Sequence, residues 1–193
     1  KEYCEYYSPI NNIQDSFDKY VVEGGLSGSY LYNNPVNKED YLKEVFGTIV
    51  TRDLIEKYNI SDYRVLQNLA EYLMDNISNI SSPNNIANIL TSNNISTSHV
   101  TTSRYIKFLC NAFLFYKVDR YDIRGKKYLE SLNKYYLVDT GIRYAILGKR
   151  NMDWGRVYEN IVYLELLRRN YRVYIGKLYQ KEIDFVAMKA NEK

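Results

Sequence analysis

A carboxylate set in the middle of an apolar helix face needs a partner, and Glu159 is such a residue. At 100° of turn per residue, residues 158–167 place Glu159 within an arc of Val162, Tyr163, Leu166 and Leu167. Glu165, Arg168 and Arg169 fall on the opposite, wet side. An unpaired carboxylate in an apolar setting is expensive, so the position demands a cation or a metal ion. Downstream, Glu182-Ile183-Asp184-Phe185-Val186 alternates, with Glu182 and Asp184 on one face of a strand. If the helix packs on that strand, Glu159 and Asp184 converge. Oxygen ligands so placed suit a divalent ion, which activates water and stabilises a phosphodiester transition state. The same convergence also suits a structural role, in which each carboxylate pairs with a Lys, an Arg or a backbone amide.

A second set of residues has the chemistry of nucleic-acid contact. Ser96, Thr97, Ser98, His99, Thr101, Thr102, Ser103 and Arg104 crowd the start of one expected helix. Short donors backed by an arginine can meet phosphates and base edges in a major groove, which puts Ser98, His99, Thr102 and Arg104 forward as contacts. Lys117, Arg120, Arg124, Lys126 and Lys127 follow on an expected hairpin, with Arg124, Lys126 and Lys127 at its turn. The alternative is that Ser and Thr cap the helix and the lysines form a solvated surface. A formal net charge of +3 permits a nucleic-acid partner without requiring one.

Other chemistries find no support. The Gly24–Ser29 stretch is glycine-rich, but Gly-x-x-x-x-Gly-Lys-Ser/Thr occurs nowhere in the chain, so ATP binding by this chain alone is not expected. Those glycines read as a backbone turn that needs positive φ. His99 is the only histidine, and Cys4 and Cys110 have no ligand spacing around them, so no zinc site is expected. Reduced thiols, a cytoplasmic setting and no membrane association are the expectation, since no apolar run has the length of a membrane span.

The secondary structure that carries these residues follows from hydrophobic periodicity. Apolar residues recur at helical spacing from Lys38 to about Tyr58 and again through Val65, Leu66, Leu69, Tyr72 and Leu73. Ser82-Pro83 opens a short helix over residues 84–90, and Thr97 or Ser98 caps another carrying Val100, Tyr105, Ile106 and Leu109. Strands at residues 114–118 and 133–138 flank the Arg124–Lys127 turn. A helix over residues 155–169 and strands near 173–175 and 182–187 complete the chain. The fold class is therefore α+β. A helical segment spans residues 1–77, a winged helix-turn-helix spans 78–145, and an α/β piece spans 146–193. That last piece stops before a third strand.

These motifs carry a resemblance. Phe17-x-x-Tyr20-x-x-x-Gly24-Gly25, Thr51-Arg52-Asp53, residues 134–143 (KYYLVDTGIR), residues 159–166 (ENIVYLEL) and residues 182–186 (EIDFV) occur in this order. Together they resemble the C-terminal region, itself a domain of unknown function, of bacterial and archaeal AAA-type ATPases. The resemblance spans nearly the whole chain. It implies a preceding P-loop ATPase module using ATP and Mg2+, a lid-like helical piece, a winged helix and a restriction-endonuclease-like terminal fold. By position Glu159 and Asp184 match the first two metal-site residues of that fold. The Glu-x-Lys of its next strand is not matched, and Lys189 and Lys193 stand outside the pattern. The implied partners are DNA, the chain's own ATPase module and further copies of itself. The implied alternative is a non-catalytic module for protein interaction or assembly.

Overall fold

The computed structural model describes residue 3, residues 12–148 and residues 153–189; Cys4 and Lys193 lie outside the described residues. The fold is α+β, with a helical N-terminal part and a sheet toward the C-terminus. Helix α1 (Ile13–Glu23) begins where the Asn12 side chain accepts the Gln14 amide, and ends at Gly24 with φ of 76°. A short 3-10 turn (Ser27–Leu31) leads to α2 (Pro35–Thr48), capped by Asn34 with Pro35 in its first turn. That helix continues as a π-helical stretch, Ile49–Glu56, so the expected helix from Lys38 onward is present and Leu42, Phe46 and Leu54 are buried.

Helix α3 (Tyr63–Asp75), capped by Asp62, buries Val65, Leu66, Leu69, Ala70, Leu73 and Met74 along one stripe. Helices α4 (Pro83–Ser92) and α5 (His99–Asn111) start at Ser82 and Ser98, whose hydroxyls accept the Asn85 and Thr101 amides. Strand β1 (Phe115–Asp122) then pairs antiparallel with β2 (Lys127–Leu137). Both strands run farther toward the turn than their apolar residues suggest, and a bulge separates Val118 from Arg120. Helix α6 (Thr140–Leu147) follows, then α7 (Trp154–Arg168), β3 (Tyr171–Leu178) and β4 (Lys181–Lys189). The connection between the strands expected near 173–175 and 182–187 shrinks to Tyr179 and Gln180, because β3 carries on through Leu178.

The strands after α7 do not form a sheet of their own. The order is β2-β1-β3-β4, with β3 parallel to β1 through Arg120↔Ile175, Tyr121↔Gly176 and Asp122↔Lys177. The hairpin is buried on both faces near its base. Phe115, Tyr135 and Leu137 belong to the large helical core with Leu66, Leu69, Leu73 and Leu109. Val118 and Tyr136 belong to a smaller core with Tyr163 of α7 and Ile175 of β3. Strand alternation delivers these two sets to opposite sides, so one hairpin joins the helical layer to α7.

Candidate functional site

Glu159 and Asp184 do approach one another, and an ammonium group lies between them. Lys134 of β2 projects toward α7 and β4, with Nζ 2.8 Å from Glu159, 2.6 Å from Glu182 and 3.9 Å from Asp184. The Tyr136 hydroxyl donates to the same Glu159 oxygen at 2.7 Å. Two residues apart on one strand, Lys134 and Tyr136 share the face turned toward α7. Tyr136 stacks on Tyr163 with ring centroids 4.2 Å apart, and Phe185 closes the group at 6.0 Å from Tyr136. The register of β3 against β4 shifts between Tyr174 and Gly176. A bulge of this kind lets neighbouring side chains share a face, so Asp184 reaches toward Lys134 while Phe185 joins the rings.

The electrostatics follow from burial. Removal from water pushes the Glu159 carboxyl above its usual range, and the Lys134 and Tyr136 hydrogen bonds pull against that. Burial also opposes the Lys134 charge, yet Glu159 and Glu182 outweigh it and hold its pKa above the ordinary value. The Tyr136 phenol is driven far up by burial and by Glu159, so it stays protonated and donates. Lys134 is therefore the counter-ion of this cluster.

The ordering of the apolar arc on α7 differs from the sequence expectation. Its buried stripe is Val157, Asn160 and Tyr163, while Val162 is exposed, so Glu159 sits at the border of the stripe. Among the described residues no group of three or more His, Cys, Asp or Glu side chains is arranged to hold a metal ion. The metal expected at Glu159 and Asp184 does not fit this arrangement, because the Lys134 ammonium already fills the space between the carboxylates and would repel a second cation. The structural alternative, a carboxylate paired with lysine, is the one the geometry shows.

Asn160, beside Glu159, docks α7 on the end of β2. Its side-chain oxygen accepts the Leu137 amide at 2.7 Å and its nitrogen donates to the Leu137 carbonyl at 2.9 Å. The side chain imitates a neighbouring strand. Asn160→Ala leaves both backbone groups of Leu137 buried without partners, and the expected loss is about 2–4 kcal/mol in urea unfolding. A change below about 0.5 kcal/mol would show that water replaces the amide at no cost.

The expected nucleic-acid contacts divide into exposed and buried residues. Ser98 caps α5, while His99, Ser103, Arg104 and Lys107 are exposed along it. Arg104 lies over its neighbour Tyr105. Thr102 is the correction: it is fully buried, its hydroxyl 3.4 Å from that of Thr97, and it has no surface to offer a ligand. Arg124, Lys126 and Lys127 are exposed at the hairpin turn. Arg124 lies over the Tyr179 ring at 4.9 Å, and Lys127 faces Asp122 across the turn. Cys110 is free and partly buried, and burial pushes its thiol up to about 11, which keeps it protonated and unreactive.

Another buried carboxylate, Asp139, explains the Gly24-Gly25 turn. Its two oxygens accept the Gly25 and Leu26 amides at 2.6 and 3.1 Å and the Gly141 and Ile142 amides at 2.8 and 3.3 Å. Burial lifts its carboxyl above the usual range against the pull of those amides. The anion bound by this glycine turn is thus the protein's own side chain. A helix-capping aspartate after β2, just before Thr140-Gly141, is the sequence signal for it.

Residues 14–153 match the family model described as a domain of unknown function, DUF8612. An uncharacterized protein of Haemophilus influenzae is 41% identical over 183 residues, covering 95% of this chain and 45% of that protein. An uncharacterized protein of Methanocaldococcus jannaschii is 26% identical over 193 residues, covering 97% of this chain and 43% of that protein. The chain therefore spans less than half the length of these relatives. No solved structure matches it. With most of its length matched by the family model, the chain belongs to the DUF8612 family.

Proposed function

We propose that this chain is the nucleic-acid-binding region of a larger, cytoplasmic AAA-type ATPase, with α3–α5 and the β1–β2 hairpin acting as a winged helix. The ATP and Mg2+ belong to another part of the parent protein. The carrying observation is the order of elements. A helix, an isolated bridge between Ser81 and Asn133, two Ser-capped helices and an antiparallel hairpin succeed one another. This order supports α5 as the reading helix, with His99, Ser103, Arg104 and Lys107 exposed along it. The Lys134 cluster then has a structural task, which is to hold α7 and β4 against the hairpin.

Duplex binding followed by fluorescence anisotropy at two salt concentrations tests the proposal. Affinity should fall steeply with salt. Arg104→Glu with Lys107→Glu should weaken binding and flatten the salt slope by about one for each phosphate that the variant no longer neutralises. Unchanged affinity and slope in that double variant would remove α5 as the reading helix.

A specific observation favours a second reading, a protein-interaction or assembly module. The hairpin tip is tied to the β3–β4 pair, since the Ile123 amide donates to the Lys177 carbonyl at 3.0 Å and Arg124 rests on Tyr179. A wing so anchored is poorly suited to swing into a minor groove. Concentration-dependent self-association without duplex binding would select this reading.

A further inference from the structure

The sheet carries an aromatic surface on the side away from α7. Ile175 packs with Tyr163 of α7, and its partner Arg120 precedes Tyr121 on β1. Alternation therefore turns Tyr121, its cross-strand partner Tyr128, and Tyr174 of β3 to the other face. The three rings form one cluster: Tyr121–Tyr128 at 5.4 Å, Tyr128–Tyr174 at 5.1 Å and Tyr121–Tyr174 at 6.2 Å. Tyr128 is 58% exposed, and Ile183, opposite Gly176, extends the surface at 37%.

Among the described residues the charges around this cluster are mainly positive. Arg172, two residues before Tyr174 on the same face, is exposed, as are Arg124 and Lys126 at the hairpin turn and Lys181 at the start of β4. Asp119, the acid of β1 on this face, is engaged by Lys117 at 3.2 Å. Asp122 is occupied by the Arg124 and Gly125 amides. One exposed ring, Tyr128, backed by the half-buried Tyr121 and Tyr174 and set beside exposed cations, complements a polyanion that offers free aromatic faces, which is a single-stranded nucleic acid. A duplex hides its base faces and has no use for the rings.

We propose that the Tyr121–Tyr128–Tyr174 face, with Arg124, Lys126 and Arg172, binds single-stranded nucleic acid by stacking bases on the tyrosines. This deepens the nucleic-acid reading but uses a different surface from α5, so the two stand or fall separately. Tyr128 is the test position, because a residue this exposed can be replaced with little effect on folding.

The experiment titrates labelled oligothymidylate and a duplex of equal length into wild type, Tyr128→Ala, Tyr128→Phe and the Arg104→Glu/Lys107→Glu variant at low salt. Tyr128→Ala should weaken oligothymidylate binding by about fivefold or more, the low end of base–aromatic stacking, and Tyr128→Phe should restore it. Neither change should alter duplex affinity. The α5 variant should show the reverse pattern. No affinity of wild type for oligothymidylate, or equal affinity in wild type and Tyr128→Ala, overturns the inference even if duplex binding holds. Oligothymidylate binding with no duplex binding overturns the α5 reading and leaves this one standing.

Discussion

Asp139→Ala is expected to destabilise the protein by about 4 kcal/mol or more, because four backbone amides are deprived of their acceptor at once. Each buried donor left unsatisfied costs roughly 1–3 kcal/mol. The effect reaches two places far apart in the chain, because the Gly25 and Leu26 amides lie 114 and 113 residues from Asp139. Asn at this position keeps one acceptor oxygen but aims an NH2 at the other pair of amides, so Asp139→Asn should recover at most part of the stability. Glu is no remedy. A β-carbon added at Gly24 would strike the Asp139 carboxylate, and one at Gly141 would strike the Glu23 carbonyl, so the space admits no longer side chain. Urea unfolding gives the measurement. A midpoint for Asp139→Ala that corresponds to less than about 1 kcal/mol would mean that water satisfies the amides and that the turn is not locked.

Much of the fold was legible because it is written in local signals. Ser82-Pro83 and Ser98 announced α4 and α5, and the stripe from Val65 to Leu73 announced α3. What was hidden depends on tertiary surroundings. Thr140, Gly141, Ile142, Arg143, Tyr144 and Ala145 are all buried in α6, so no polar face set up the periodicity that reveals a helix. Helix α1 lies in a polar, aromatic stretch whose face is read only once α6 packs on it. The parallel pairing of β1 with β3 joins segments 55 residues apart at Arg120 and Ile175, and no local pattern encodes such a partner. The site was half legible for the same reason. Glu159 and Asp184 stood out as acids in apolar frames, whereas Lys134 looked like an ordinary strand residue until the hairpin brought it under α7. Thr102 was misplaced because a helix start rich in hydroxyls does not reveal which of them turn inward.

Lys134→Met is expected to destabilise by about 3–5 kcal/mol near neutral pH, the usual result of removing one member of a buried ion pair. The substitution keeps the aliphatic bulk but removes the hydrogen bonds to Glu159 and Glu182. Glu159 would then remain as a desolvated carboxylate with Asp184 nearby and Tyr136 as its remaining donor. The sign of the pH dependence follows. The Glu159 pKa in the folded protein already lies above the ordinary carboxyl value of 4.5, so between those two values the folded state holds more protons than the unfolded one. Acidification through that window therefore favours folding, and the burial penalty is complete only above the folded pKa. Lys134 pulls that pKa down, and its removal widens the window upward. The deficit of Lys134→Met should accordingly be largest at neutral pH and shrink as pH falls toward 4.5. Adding Glu159→Gln removes the stranded charge while keeping an acceptor for the Tyr136 hydroxyl. The double variant should regain more than half of the stability and show no such pH dependence. Additive single effects, or a deficit that grows on acidification, would mean that Lys134 stabilises through Glu182 at the surface and that Glu159 is satisfied by Tyr136 alone. A deficit that follows Glu159 instead makes the ammonium the reason an acid can stand at the edge of the α7 stripe, and hence the reason this helix can close over the hairpin.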